Sequence, residues 1–370
     1  MMLNKARTDI FSIMTLPAWS KRKNFTINIW LLCGLLLFGG NTSNGQKKNK
    51  TAPLPAAAKK DSAAAPEMVK PAPPAVLDTA LYNKMVMHLL NDTAKHGWPV
   101  KADYPLPGAI LPFNRVVAYY GNFYSTHMGV LGEYPPDEML KRLMAEVEKW
   151  RKADPQTPVI PAIHYIAVTA QGSPGKGGKY RLRMPFTQID KAIELAKKID
   201  AVVFLDVQVG QSTLQQEIPL LEKYLIMPQV HLAIDPEFSM KTGRKPGTII
   251  GTFDAADINY ASDYLVGLVK KYNLPPKILC VHRFTMGMVT NYKRIKLHRE
   301  TQIVMDMDGW GFPAKKVNSY RIAVMNEPVQ FTGFKLFYKN DIITPPWKKM
   351  MTPDEVLEKL YPKPVYIQYQ

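Results

Sequence analysis

Four short apolar segments of the chain end on acids: Phe204-Leu205-Asp206, Leu232-Ala233-Ile234-Asp235-Pro236-Glu237, Ile303-Val304-Met305-Asp306-Met307-Asp308 and, more loosely, Phe337-Tyr338-Lys339-Asn340-Asp341. A buried strand gains nothing from a charge at its end, because taking an unpaired charge out of water is costly. The mouth of an active site does need such charges. Asp235-Pro236-Glu237 is the sharpest of these motifs. Residues two apart on an extended chain point the same way, with Cα atoms roughly 6.8 Å apart. Carboxyl groups at that spacing suit either a retaining pair, at ~5–5.5 Å, or an inverting pair, at ~6.5–9.5 Å. Their repulsion raises one pKa of the pair, leaving one acid and one base near neutral pH.

Asp306-Met307-Asp308-Gly309-Trp310-Gly311 repeats the spacing. Its glycines permit an unusual turn, and Trp310 offers a flat face to a sugar. The same residues also read as a tight turn in which Asp308 bonds its own backbone. Lys335, in Phe334-Lys335-Leu336-Phe337, is a charge partner for the acids if it points inward. Tyr119, Tyr120, Phe123 and Tyr124 crowd another segment end, where aromatic rings serve sugar stacking or core packing equally well. His164, His282, Asp206, Asp235 and Asp306 are also a donor set for a divalent ion. No His-x-His or His-Glu-x-x-His spacing accompanies them, and the reading expects neither metal nor cofactor.

The elements that must position these groups alternate. Apolar strand-like runs fall at 116–120, 159–167, 201–207, 229–235, 278–282, 302–306, 331–338 and 365–369. Helical spacing or helix-start signals fall between them, at 136–150, 187–198, 213–226, 257–272, 286–298, 314–325 and 352–360. Pro219 should disturb the third of these helices. Eight strands alternating with seven helices predict a (β/α)8 TIM barrel over residues 77–370, with a helix at 79–91 replacing the eighth. An open doubly wound sheet is the alternative, but Gly175-Lys176-Gly177-Gly178 does not join a strand to a helix as its phosphate loop would. In a barrel, catalytic groups come from the C-terminal strand ends. Those ends supply Tyr120, Asn122, His164, Asp206, Asp235, Glu237, His282, Asp306, Asp308, Lys335 and Gln368.

The Asp-x-Glu ending resembles that of glycoside hydrolases of the bacterial lysozyme and chitinase types. The resemblance covers a handful of residues and the inferred barrel. It implies Glu237 as proton donor, with Asp235 or Asp206 as electrostatic support. Leu232 and Ile234 stand where the chitinase type carries further acids. The reading is a glycoside-hydrolase-like protein acting on a carbohydrate or cell-envelope glycan. Asp235, Asp206 and Asp306 would serve as base, nucleophile or charge support, in an order left open. Tyr120, Asn122, His164, His282, Asp308, Trp310 and Lys335 would bind substrate. The alternatives are a non-catalytic glycan-binding barrel and a metal-dependent hydrolase.

Lys21-Arg22-Lys23, an apolar run over 27–40 and Ser43-Asn44-Gly45 read as a signal peptide over residues 1–45. Residues 46–76 are Ala, Pro and Lys in mixed order and read as a disordered tether. The expected location is therefore exported, periplasmic or extracellular, with a membrane anchor if the signal is retained and wall or peripheral membrane tethering through the N-terminal segment. Formal charge is +17 over 370 residues. Residues 1–45 and 46–76 each carry a net +4, which leaves +9 on the domain. That charge fits an anionic envelope polymer or membrane surface. Nucleic acid is not expected, since no interleaved aromatic and basic motif appears. Cys280 is alone in the domain, so it forms no internal disulfide and reads as a small buried residue.

Overall fold

The computed structural model describes residues 76–343 and 349–370. Eight strands form one closed sheet: β1 (Arg115–Gly121), β2 (Val159–Ala170), β3 (Val202–Val207), β4 (Val230–Ile234), β5 (Lys277–His282), β6 (Thr301–Met307), β7 (Phe331–Leu336) and β8 (Tyr366–Tyr369). Each pairs in parallel with the next. β8 returns in parallel to β1, with Val116 opposite Tyr366. The fold is the (β/α)8 barrel that the alternation predicts. The stretches read as signal peptide and tether lie outside the described residues, apart from Val76. Among the described residues no helix is long and apolar enough to cross a membrane.

Strand alternation divides the apolar residues into two sets. Val117, Tyr119, Ile163, Val203, Leu205, Leu279, Val281, Ile303, Met305, Phe334 and Ile367 belong to the core between sheet and helices. Val116, Ala118, Ala162, Phe204, Ala233, Ile278, Cys280, Val304, Phe331 and Tyr366 belong to a second cluster inside the barrel. Burial on both faces explains why the strands read as continuous apolar runs. Cys280 is a free, buried thiol in the inner set.

The helices are α1 (Thr79–Leu89), α2 (Pro136–Ala153), α3 (Phe186–Lys197), α4 (Leu214–Glu217), α5 (Glu222–Leu225), α6 (Ala255–Tyr272), α7 (Pro313–Tyr320) and α8 (Pro353–Lys359). Their starts follow local chemistry. α6 begins with a capping box from Asp254 and Asp257, and α8 with one from Thr352 and Glu355. α4 and α5 flank a 3-10 turn at Ile218–Leu221, where Pro219 lacks the N–H a continuous helix needs. α1 carries the N-terminal helix to the N-terminal end of the barrel. Its Leu89 joins the inner cluster, and its Leu89 carbonyl accepts from Lys363 N just before β8.

Two expectations need correction. The segment 286–298 is not an α-helix; it holds 3-10 turns at Met286–Met288 and Tyr292–Arg294 and a short strand, Val289–Thr290, paired with Phe253–Asp254. Arg283 is the cause. Its buried guanidinium donates to the carbonyls of Met286 at 3.0 Å and Val289 at 3.1 Å, and pairs with Glu327. Carbonyls gathered on one cation cannot also point along a helix axis. The second concerns the connection between the strand expected at 159–167 and the helix expected at 187–198, to which the sequence assigns no strand. Within it, Arg181–Arg183 pairs antiparallel with Val168–Ala170 at the extended end of β2. Arg181 and Arg183 then clamp the buried Glu217 carboxylate at 2.8 and 2.6 Å.

Phe204 is a fully buried aromatic group inside the barrel below the polar residues. It stacks under His164 with ring centroids 5.5 Å apart and meets Tyr366 edge-on at 5.1 Å. Phe204→Ala should cost about 3–5 kcal/mol of unfolding free energy. Chemical denaturation with an unchanged m-value would check it; a loss under 1 kcal/mol would mean the inner cluster is not close-packed.

Candidate active site

Seven strands carry a polar side chain on their inward face, and β4 is followed by one. Tyr120, His164, Asp206, His282, Asp306, Lys335 and Gln368 follow Ala118, Ala162, Phe204, Cys280, Val304, Gly333 and Tyr366 by two residues, and Asp235 follows Ala233 in the same way just beyond β4. Alternation therefore delivers eight polar side chains, one from each strand or its end, to the C-terminal end of one apolar plug. All eight are buried. Gly333 makes room for one of them: a Cβ there would lie 2.6 Å from Asp306 Oδ1.

These groups touch. Tyr120 donates its hydroxyl to Asp206 Oδ2 at 3.2 Å and accepts from Gln208 Nε2 at 3.1 Å. Asp206 Oδ2 lies 3.8 Å from both His164 Nε2 and His282 Nε2. The other ring nitrogen of His282 faces Asp308 at 3.3 Å and Asp306 at 3.5 Å. His164 Nδ1 sits 2.5 Å from the Tyr366 hydroxyl and 2.9 Å from Gln368 Nε2. Lys335 Nζ lies 3.7 Å from the centre of the Tyr120 ring. Lys335 thus points inward, where its charge lowers the pKa of Asp206 and Asp306.

Burial and repulsion set the protonation pattern. Burial drives the His164 pKa down to about 4, so that ring is neutral. Burial also opposes a charge on His282, but Asp206, Asp306 and Asp308 outweigh it and hold its pKa well above the ordinary histidine value. For Asp206 burial favours the neutral acid, yet His282, His164 and Lys335 keep it below the usual carboxylate value. Burial raises Asp306. Burial, with the repulsion of Asp308, Glu237 and Asp206, places Asp235 well above the carboxylate range despite His282. Burial and Asp308 push Glu237 up to about 7. The result is an ionised Asp206–His282 pair with carboxyl groups above it that retain protons.

The Asp235-Pro236-Glu237 geometry differs from the strand picture. β4 ends at Ile234, and Pro236–Phe238 is a 3-10 turn capped by Asp235, whose Oδ1 accepts from Glu237 N at 3.0 Å. Pro236 cannot donate to a sheet ladder, so the extended register stops there. Both carboxyl groups still act electrostatically on the same cluster, with Asp235 on its floor and Glu237 half-buried above. Asp308 is 9% exposed, at the edge between floor and solvent. Trp310 is 44% exposed beyond it, with Lys315 over its ring. Asn122 is not brought into the cluster. Its amide donates to Ile166 O at 3.1 Å and accepts from Tyr124 N at 2.9 Å, which ties down the loop after β1.

Sequence reasoning passed over Tyr366 and left Gln208 and Gln368 without roles. The signal was present, since Tyr366 and Gln368 share the inward face of β8. A cavity of about 420 Å³ opens at the opposite end of the barrel, between α1 and the strand starts, lined by Tyr82, Trp98, Tyr104 and Phe331 among others. No carboxylate lines it. The molecule is a (β/α)8 barrel whose titratable groups converge at the C-terminal strand ends, where this fold places its active sites. No protein-family model matches the chain, and no curated protein matches it.

Raising the Glu237 pKa from 4.5 to about 7 has a thermodynamic cost. The folded state holds that proton more tightly than the unfolded chain, so ionisation penalises folding. The penalty is absent below pH ~4, grows between the two pKa values and is complete above pH ~8. Glu237→Gln should therefore match the parent stability at pH 4 and exceed it at pH 8 by on the order of 1–3 kcal/mol. Denaturation at both pH values tests this; a variant less stable at pH 8 would contradict the raised pKa.

Proposed function

We propose that this barrel is a glycoside-hydrolase-like enzyme acting on a carbohydrate or cell-envelope glycan, with Glu237 as proton donor. The observation that carries this reading is Glu237 itself: a half-buried carboxyl at the mouth, with a pKa of about 7, set above an ionised Asp206–His282 pair. A general acid works best when its pKa lies near the working pH. Asp308, 9% exposed, is after Glu237 the least buried carboxylate beside the floor and would serve as base or nucleophile. Asp206 and Asp306 have no exposure and sit on the floor, so they act by charge and not by attack. Asp235 positions Glu237 through its backbone contact. Tyr120 and Lys335 complete the floor, and Trp310 and Tyr124, the latter 58% exposed, are the aromatic faces available for a sugar ring.

The partner and location follow the same reading. An exported protein with a net +9 on its domain suits an anionic glycan of the envelope. The tether would hold the barrel near that polymer.

Two measurements test this. On a panel of envelope and soluble glycans, Glu237→Gln should lower kcat by roughly 10²–10⁴-fold while substrate still binds. Unchanged turnover removes Glu237 from the mechanism, and wild-type binding without any turnover makes the barrel a glycan-binding module. The acid must carry its proton, so parent turnover should fall as pH rises through about 7. A rate still climbing at pH 9 contradicts the assignment.

A further inference from the structure

The floor of the site contains polar atoms that hydrogen bonding leaves unexplained. His164 Nε2, His282 Nε2 and Asp206 Oδ1 are fully buried and have no hydrogen-bond partner among the described residues. The 3.8 Å separations of the two Nε2 atoms from Asp206 Oδ2 are too long for hydrogen bonds. An unsatisfied buried polar atom costs about 1–3 kcal/mol, and three of them meet here. Among the described residues, His164, Asp206 and His282 form the one trio whose potential ligand atoms all lie within 4.8 Å of one another.

We infer that His164, Asp206 and His282 bind a divalent transition-metal ion of the zinc class. The donor set fits: two imidazoles and one carboxylate suit zinc-like ions, whereas calcium and magnesium prefer all-oxygen shells. The ligands come from β2, β3 and β5, so rigid strands fix them. The outer nitrogen of each ring faces a polar group, as in metal-binding histidines, although that of His282 completes no hydrogen bond among the described residues. His282 Nδ1 faces Asp308 and Asp306, which gives a carboxylate–histidine pair with Nε2 directed at Asp206. His164 Nδ1 lies 2.5 Å from the Tyr366 oxygen, to which Gln368 Nε2 donates at 3.2 Å, so Nδ1 is the donor to that oxygen when Nε2 takes a metal. Metal binding displaces the His282 proton, and both Nε2 lone pairs then face the ion. Separations of 3.8 Å must shorten by a few tenths of an ångström to reach the ~3.4 Å between ligands on a tetrahedral zinc. The sequence offers these three within a wider donor set but shows no metal-binding spacing; the barrel gathers them. This site is a property of the donor set and holds whether or not the substrate is a glycan.

The test is direct titration. Full-length protein stripped with chelator is titrated calorimetrically with ZnCl2, and separately with MnCl2 and MgCl2. One zinc should bind with micromolar or tighter affinity and raise the melting temperature, with magnesium far weaker. His164→Ala and His282→Ala should each weaken zinc binding at least 100-fold. Glu237→Gln should retain it even though turnover is lost, which separates this proposal from the catalytic one. A His96→Ala/His127→Ala double variant should also retain it, which excludes surface histidines. Cobalt(II) added to the parent protein should give the visible absorption of a four- or five-coordinate site, a readout that holds if the histidine variants do not fold. The proposal is overturned if no ion binds stoichiometrically, if zinc binding survives in both histidine variants, or if cobalt shows only its hydrated spectrum.

Discussion

The upper half of this barrel is governed by one constraint: the charges of Asp206 and His282 have no water to solvate them. Isolated, either ion would carry a desolvation cost of several kcal/mol. Together they offset each other, and the surplus of acids around them is met by protons and by Lys335. The raised pKa values of Asp235, Asp306 and Glu237 are consequences of that balance. So is the placement of Tyr120, which fills the space above Asp206 with a ring and satisfies one carboxylate oxygen. Buried groups of this kind weaken a fold, and strongly perturbed pKa values cluster at functional sites as well as in structural ion-pair networks.

The alternation of strands and helices was readable in the sequence because each strand is buried on both faces and each long helix carries its own start signals. The polar layer was readable in part. Acids at strand ends are conspicuous against apolar runs, so Asp206, Asp235, Asp306 and Asp308 stood out. Tyr366 did not, since an aromatic residue in a strand has many ordinary explanations. The segment after β5 misled because its apolar spacing suits a helix, while the deciding interaction is made by Arg283, which precedes it. Glu217 and its two arginines were equally hidden: the pairing depends on a hairpin that local sequence does not announce. The trio of ligand atoms lay within the wider donor set that the sequence offered, but its members are 42 and 76 positions apart and are singled out only when the barrel closes.

Site and fold also divide the acids by role in a way that spacing alone could not. The strand picture gave Asp235 and Glu237 equivalent directions. Pro236 breaks that equivalence, sending one carboxyl to the floor and the other to the rim. A group fixed by a backbone contact and a group free to meet solvent suit different tasks, positioning and proton exchange respectively.

The seam between β1 and β8 has a kinetic meaning. Arg115 Nε bonds the carbonyl of Pro364, 249 positions away, at the place where the sheet joins itself. Contacts of such separation are slow to form because a long loop must be closed first. Until Tyr366–Tyr369 docks, β1 and β7 are both open sheet edges, able to pair with another chain. Concentrated refolding therefore sets intramolecular seam closure against edge-to-edge association, and the last four-residue strand decides between a monomer and an aggregate.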